Sequence, residues 1–201
     1  MELSSEELQA WGESFETKQP QEVLAAAIER YSPKIVLACS FGAEDVVLLD
    51  MVHRVNPSVP LFYLDTEFLF PETYATRDRV IERYGLQPQQ VMQVKSLLTP
   101  EQQAAQHGEA LWTRQPDQCC ELRKVEPLTR VLKGFDAWIT GIRRDQSPTR
   151  AHAKLIEWDQ KFQLVKINPL AKWKWEDVWT YIRIYEVPYN ELHDRNYPSI
   201  G

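Results

Sequence analysis

The chain has 201 residues, of which 43% are hydrophobic and 26% are charged, and its formal net charge is −6. This length suits one domain with a substantial core. The acidic balance argues against a nucleic-acid partner, because general nucleic-acid binders are usually basic. No apolar run reaches the roughly 18 residues that a membrane span requires, and the acidic N-terminal segment lacks the features of a secretory signal. We therefore expect a cytoplasmic protein with no membrane partner.

Helical and strand patterns alternate along the chain. The predicted elements, in order, are helices over 5–16 and 21–31, a strand at 34–39, a helix over 42–55, a strand at 60–64, a helix over 71–85, a strand at 91–94, a helix over 99–108, a helix within 117–134, a strand at 136–140, a hairpin over 155–167 and a helix over 173–187. Such alternation predicts an α/β fold, with a mostly parallel twisted sheet and helices on both faces. Ligands bind at the carboxyl ends of the strands in such folds, so the residues after each strand are the candidates.

The first predicted strand ends in "CSFGAED", residues 39–45, and a helix follows at once. Free backbone N–H groups and the helix dipole make such a turn an anion cradle. Ser40 adds a hydroxyl donor, and Gly42 lets the backbone approach a ligand. A plain structural turn has the same composition, and the turn matches neither a Walker loop nor a dinucleotide fingerprint. Cys39 is interpreted as a core residue.

Polar residues also follow the second and fourth strands. Asp65 and Thr66 are placed to meet a base or ribose, although they would equally serve to cap a loop. Arg143, Arg144 and Arg150 concentrate positive charge in one loop of an acidic protein. Guanidinium forks match phosphate and sulfate oxygens, while a charged run on its own is commonly a solvated face.

Two of the three cysteines are adjacent, Cys119 and Cys120. Their Cα atoms lie about 3.8 Å apart across a trans peptide, too close for an ordinary disulfide. Tandem thiolates suit a metal site, either zinc or an iron–sulfur cluster. A [4Fe–4S] cluster requires four cysteines, and Cys39 belongs to a different strand end. Lys124 is placed to add positive charge beside the pair.

Five segments in this order carry a resemblance: "SFGAED", "LDTEFLFPETY", "CCELRKVEPL", "GIRRDQSPTRA" and "YPSIG". Together they resemble the adenylyl-sulfate and phosphoadenylyl-sulfate reductase family, in its cluster-bearing branch, over about residues 35–201. The resemblance implies an adenine nucleotide α-hydrolase-like (PP-loop) fold. It also implies thioredoxin-dependent reduction of adenylyl sulfate, or of phosphoadenylyl sulfate, to sulfite and AMP in sulfate assimilation and cysteine biosynthesis. A homo-oligomer is compatible with it.

The resemblance assigns a role to each matching residue. The phosphosulfate loop would be Ser40, Phe41 and Gly42, the adenosine-binding loop would include Asp65 and Thr66, and the arginine loop would include Arg143, Arg144 and Arg150. Cys119 and Cys120 match the first pair of [4Fe–4S] ligands. Lys124 matches a lysine that lies between cluster and substrate and supports catalysis.

In cluster-bearing members the "YPSIG" segment leads into a Cys-x-x-Cys pair, and a later tail carries the nucleophilic cysteine. The chain printed here ends at Gly201 and contains neither. We therefore expect residues 1–201 to form a single nucleotide-binding domain, truncated before the second cysteine pair and the catalytic tail. Such a chain should bind nucleotide without reducing it.

Two other functions stay open at this stage. The first is a PP-loop ATP pyrophosphatase that adenylates a substrate, although Phe41 and Ala43 break its Ser-Gly-Gly-x-Asp-Ser pattern. The second is a non-catalytic nucleotide-binding or iron–sulfur-binding module, which the missing nucleophile favours.

Adenylyl sulfate is the nucleotide that the sequence favours over its 3′-phosphorylated form. The resemblance implies this preference, because the adjacent cysteine pair indicates the cluster-bearing branch of the family, whereas members without the pair use the phosphorylated form. In addition, the loops expected near the ribose offer Glu44, Asp45, Asp65 and Glu67 and no basic residue, so they would repel a further phosphate.

Overall fold

The computed structural model describes residues 3–197 and residue 200. Pro198, Ser199 and Gly201, which belong to the "YPSIG" segment, lie outside the described residues. The strands are β1 Ile35–Ala38, β2 Leu61–Asp65, β3 Val91–Lys95, β4 Ala137–Ile139, β5 Ile156–Asp159 and β6 Leu164–Ile167. The helices are α1 Ser5–Ser14, α2 Pro20–Tyr31, α3 Ala43–Val55, α4 Pro71–Tyr84, α5 Pro100–His107, α6 Leu111–Arg114, α7 Pro116–Cys120, α8 Glu126–Leu132 and α9 Trp175–Tyr185.

One six-stranded sheet has the order β3-β2-β1-β4-β6-β5. Its pairs are parallel except the last, because β5 and β6 form an antiparallel hairpin. The register places Leu37 beside Leu61 and Ile139, so β1 is central and its carboxyl end lies between those of β2 and β4. The α/β prediction with a mostly parallel sheet is therefore confirmed.

Helices cover both faces of the sheet and create two apolar cores. The larger core contains buried side chains of α2, α3 and α9, such as Leu24, Val47 and Ile182. The smaller core lies on the opposite face, where Phe62 and Trp138 pack with residues of α8. No helix within the described residues is both long and apolar enough to span a bilayer.

Local signals explain where several helices begin and end. Thr99 accepts a hydrogen bond from the backbone N–H of Gln102 and forms the expected capping box of α5. Gly85 ends α4 in the left-handed conformation at φ 59°, which favours glycine. These boundaries agree with the sequence prediction.

The predicted helix within 117–134 is interrupted. It consists of α7, a π-helical turn over Glu121–Val125, and α8. Pro127 explains the interruption, because it has no N–H for the carbonyl of Arg123 and its ring would collide with that carbonyl in a regular α-helix. A π turn widens the backbone at this point, and such turns are frequent at functional sites.

Candidate functional site

A cavity of about 910 Å³ opens at the carboxyl ends of β1, β2 and β4. It lies where the strand order reverses direction between β1 and β4, the expected ligand position in an open α/β sheet. The predicted residues that line it are Ser40, Phe41, Gly42, Thr66, Lys124, Arg143 and Arg150. Residues from four separate segments of the sequence are thus brought together.

The anion loop, residues 39–42, joins β1 to the N-terminus of α3. Phe41 adopts φ 60°, and its side chain is only 1% exposed, with its ring packed edge-on at 5.4 Å from that of Tyr63. The buried ring anchors the loop in the core. Gly42 is the N-cap of α3, and the N–H groups of Gly42, Ala43 and Glu44 donate no hydrogen bond to any described residue. These donors and the helix dipole form the cradle that the sequence predicts.

Ser40 is bound to Asp45 in the first turn of α3. Its backbone N–H and its hydroxyl each donate to Oδ2 of Asp45, at 2.6 Å. The hydroxyl is therefore engaged within the protein, and the expected role as a donor to a ligand would require it to turn. Burial raises the pKa of Asp45 to about 6, although the two hydrogen bonds from Ser40 oppose the shift. The anion cradle thus contains a carboxyl group that titrates near neutral pH.

The arginine loop, residues 141–150, follows β4 and lies against α3. Gly141 allows this approach, because a Cβ atom there would lie 2.5 Å from Oδ1 of Asp45. Arg143 is 5% exposed and forms ion pairs with Glu44, at 2.9 Å, and with Asp145. Its guanidinium also lies 5.3 Å from the ring centroid of Trp175. Arg143 is therefore balanced by two carboxylates and mainly fixes the loop.

Arg150 and Lys124 line the cavity with charges that are available to bind a ligand. Both side chains are exposed and line the cavity, one from the arginine loop and one from the π turn. Neither forms a salt bridge with a carboxylate of the described residues, and Arg150 donates only to the side-chain oxygen of Gln146. Their charges can therefore meet an anionic ligand.

Arg144, the second arginine that the sequence proposed for substrate binding, is engaged by other residues of the protein. It does not line the cavity; its guanidinium pairs with Glu16 at 2.7 Å and donates to the carbonyl of Ala153 at 2.8 Å. Arg143 and Arg144 diverge because successive side chains of the short 3-10 turn that starts here point in different directions. Arg144 attaches the arginine loop to the segment after α1.

Asp65, which the sequence proposed for the adenosine-binding loop, is also engaged by other residues of the protein. It is 2% exposed and accepts hydrogen bonds from the hydroxyl of Tyr74 at 2.6 Å, from Gln93 at 2.5 Å and from the backbone N–H of Glu67 at 2.9 Å. It does not line the cavity, so it acts as a loop cap, the alternative reading of this residue. Thr66 does line the cavity.

An apolar wall, which the sequence analysis did not identify, completes the cavity. It consists of Phe62, Leu64, Leu69, Leu128 and Trp138. The alternation of side chains along a strand could have identified part of this wall, because it places Trp138 on the opposite sheet face from Ala137 and Ile139. Trp175 and His193 also line the cavity, but they come from distant segments that sequence spacing cannot connect to it.

The tandem cysteines lie at the end of α7, immediately before the π turn. Cys119 is 8% exposed, and its sulfur is 3.9 Å from Nε2 of Gln103, whereas Cys120 is exposed. The described residues contain no group of three or more potential ligands arranged for a metal ion. Two adjacent cysteines can supply at most two of the four thiolates that a [4Fe–4S] cluster requires.

Cys39 borders the cavity but is unsuited to nucleophilic attack. It is buried, and burial together with the charge of Asp45 raises its thiol pKa well above the ordinary value. A thiol in this state stays protonated at neutral pH. The interpretation of Cys39 as a core residue agrees with this environment.

Comparisons with known proteins agree with this geometry. A family model described as the phosphoadenosine phosphosulfate reductase domain matches residues 34–201. The adenosine 5′-phosphosulfate reductase of Halalkalibacterium halodurans is 48% identical over 94% of this chain and 81% of its own length. Adenosine 5′-phosphosulfate reductase 2 of Bacillus subtilis is 50% identical over 90% of this chain and 75% of its own length.

Solved structures show the same likeness. The phosphoadenylyl-sulfate reductase of Candida auris, solved as a phosphate complex, superimposes with a TM-score of 0.88 at 34% identity, over 100% of this chain and 96% of that one. The FMN adenylyltransferase of Candida glabrata shares the fold alone, with a TM-score of 0.65 at 18% identity, over 100% of this chain and 65% of that one. The resemblance drawn from five sequence segments is confirmed, and the chain belongs to the phosphoadenosine phosphosulfate reductase family.

Proposed function

We propose that this chain binds adenylyl sulfate in the cavity at the carboxyl end of the sheet, as the nucleotide-binding part of an adenylyl-sulfate reductase. One observation carries the proposal: the cavity has an apolar wall on one side and free N–H groups with two unpaired cations on the other. This division matches an adenosine joined to a phosphosulfate. The names of the bacterial relatives support the same substrate.

The two ends of the cavity would hold different parts of the nucleotide. The apolar wall around Phe62 and Trp138 would cover the base. The N-terminus of α3 would receive the anionic end, with Arg150 and Lys124 beside it. Arg143 would act indirectly, because its two carboxylate partners and Trp175 hold the arginine loop in place.

The proposed reaction is nucleophilic displacement at the substrate sulfur. A cysteine thiolate, expected after Gly201, forms a bond to that sulfur, and the bond from sulfur to the phosphate oxygen breaks. AMP leaves with the electron pair, and an S-sulfocysteine remains. The reduced dithiol of thioredoxin then attacks the cysteine sulfur, releases sulfite and is itself oxidised as the protein thiol is restored. Arg150 and Lys124 would stabilise the charge that develops on the departing phosphate.

We also propose that Cys119 and Cys120 hold one half of a [4Fe–4S] cluster, with two further cysteine ligands after Gly201. The cluster would supply fixed charge beside Lys124. Two features support this proposal: the thiols are adjacent, and the π turn that follows them carries Lys124. Because dithiol reductants remain reduced in the cytoplasm, we propose that compartment for the enzyme.

Calorimetry with adenylyl sulfate and with its 3′-phosphorylated form tests the substrate proposal on residues 1–201. We expect both ligand binding and a preference for adenylyl sulfate. The relatives' names carry this preference, because the structure weakens the electrostatic argument: Glu67 is paired with Lys95 and Arg123. Equal kcat/KM values for an enzyme that includes the downstream cysteines would show dual use. Failure of residues 1–201 to bind either nucleotide would contradict the proposal.

Metal analysis tests the cluster proposal. Anaerobically purified protein with the downstream cysteines should be brown and contain about four irons per chain. Cys120→Ala should lose the iron, and Cys39→Ala should keep it, because Cys39 lies at another strand end. Stoichiometric zinc without iron would contradict the assignment.

A further inference from the structure

Asp45 occupies an unexpected position for a carboxylate, at the base of an anion site. Its Oδ2 accepts both hydrogen bonds from Ser40, and its Oδ1 faces the backbone of Gly141. The side chain therefore contacts the anion loop and the arginine loop together. It also lines the cavity that the anion would enter.

We infer that Asp45 is a positioning residue that couples anion binding in this cavity to the uptake of one proton from solvent. The inference rests on the proposed function, since it concerns the same anion. Oδ1 is the atom that would receive the proton, because it accepts no hydrogen bond from any described residue. Oδ2 can accept from Ser40 in both protonation states, so the anion loop keeps its shape when the proton arrives.

The charges around Asp45 explain why an anion would drive this uptake. Besides Asp45, the titratable or charged groups that share the cavity are Cys39, Glu44, Tyr63, Lys124, Arg143, Asp145, Arg150 and His193. Arg143 is already paired with Glu44 and Asp145. Arg150 is the cation that lowers the pKa of Asp45, against the larger effect of burial.

An incoming anion would attract Arg150, which donates to Gln146 and acts on Asp45 only through its charge. Once Arg150 turns to the ligand, Asp45 loses that attraction and gains a negative neighbour. Both changes favour the protonated carboxyl group. Since burial has already raised its pKa to about 6, both changes would move that pKa further towards neutral pH. Ligand affinity should therefore rise as the pH falls from 8 towards 6 and level off below that.

Calorimetry of residues 1–201 with adenylyl sulfate, at pH 7 in buffers of different ionisation enthalpy, measures the protons taken up on binding. This ligand is suitable because its bridged phosphate has no group that titrates near pH 7. We expect uptake of about one half to one proton per ligand and an affinity that falls several-fold between pH 6 and 8.

Asp45→Asn separates proton coupling from a purely structural role. The amide oxygen of asparagine can accept the same two hydrogen bonds from Ser40 without carrying charge. We expect this variant to take up no proton and to bind several-fold more tightly than the wild type at pH 8. Asp145→Asn, a neighbouring carboxylate that is paired with Arg143, should keep the uptake.

Three results would overturn the inference: wild-type binding with no buffer dependence, uptake that persists in Asp45→Asn, or weaker binding of that variant at pH 8. Persistent uptake that disappears in His193→Gln would assign the proton to the imidazole instead. Each of these outcomes leaves the proposed function standing, because the nucleotide still binds. Complete failure of the wild-type chain to bind adenylyl sulfate would remove both.

Discussion

Two of the three acidic side chains of helix α3 have contrasting surroundings, Asp50 in its middle and Asp45 at its N-terminus. Asp50 is 2% exposed and accepts hydrogen bonds from Tyr181 at 2.7 Å, Arg54 at 2.7 Å and Tyr84 at 3.0 Å. These donors belong to three helices, α9, α3 and α4. Asp45 has only Ser40 as a hydrogen-bond donor among the described residues.

The number of hydrogen-bond partners distinguishes charged groups that stabilise the fold from charged groups that are available to a ligand in the cavity. Burial and the hydrogen bond to Asp50 raise the pKa of Tyr181 above its ordinary value, as expected for a hydroxyl that donates to a buried carboxylate. Other residues of the protein form hydrogen bonds or ion pairs with four of the charged side chains: Asp50, Asp65, Arg143 and Arg144. Arg150 and Lys124 retain binding capacity, and they line the cavity. Among the basic residues predicted for the site, Arg144 is fully partnered and does not line the cavity, whereas Arg150 and Lys124 have no salt bridge among the described residues and line it.

The largest expected effect comes from removing Asp50. Asp50→Ala would leave the hydroxyls of Tyr84 and Tyr181 without their acceptor and would create a void, so we expect a loss of about 3 kcal/mol of unfolding free energy. Urea denaturation measures it. Asp78→Ala is the control, because Asp78 is exposed and pairs only with its neighbour Arg77, and it should cost under about 1 kcal/mol. Equal losses in both variants would show that the Asp50 network does not stabilise the fold.

Much of this fold could be predicted from local sequence signals. The short apolar runs that became β1 and β2 are β-branched or aromatic, and the boundaries at Thr99 and Gly85 depend on residues within a few positions of them. The π turn was not predicted, because hydrophobic spacing does not reveal where one extra residue enters a helix. Pro127 was the available signal.

The site was predictable by region and only partly by residue. Strand ends identified the anion loop and the arginine loop, since parallel strands carry their carboxyl ends to one edge. Which of two adjacent arginines lines the cavity depends on the backbone of a single turn, so the sequence could not distinguish Arg143 from Arg144. The engagement of Asp65 by Tyr74 and Gln93 joins separate elements, which a sequence pattern cannot reveal.

The second prediction concerns ligand affinity. Arg150→Ala should weaken adenylyl sulfate binding by about 1.5–3 kcal/mol, or roughly 10- to 100-fold, because it removes a charge-assisted contact. Arg150→Lys should restore only part of the affinity, since an ammonium lacks the planar fork. Isothermal calorimetry measures both. Unchanged affinity in Arg150→Ala, with the protein folded, would show that this cation does not meet the ligand.

The third prediction tests how closely the two cavity loops must approach. In Gly141→Ala the added methyl group would meet Oδ1 of Asp45, whose side chain is held through Oδ2 by Ser40, so the arginine loop must move. We expect a loss of about 1–3 kcal/mol of unfolding free energy, accompanied by weaker nucleotide binding. Gly134→Ala is a matched control before β4, where the nearest atom lies 3.8 Å from the added carbon. Wild-type binding and stability in Gly141→Ala would show that the loops tolerate a wider gap.

The smallest expected effect tests Arg144, which the sequence proposed for the ligand site and which does not line the cavity. Arg144 pairs with Glu16 across a partly exposed surface and donates to the carbonyl of Ala153. Such surface pairs contribute little, so Arg144→Ala should lower the unfolding free energy by about 1 kcal/mol or less. Adenylyl sulfate affinity should stay within about twofold of the wild type, in contrast to Arg150→Ala. Glu16→Gln should reproduce most of the stability loss, and the double variant should lose little more than either single variant, because the two substitutions remove the same pair. A tenfold loss of affinity in Arg144→Ala, with no such loss in Glu16→Gln, would return Arg144 to the ligand site and would break the distinction between partnered and available charges.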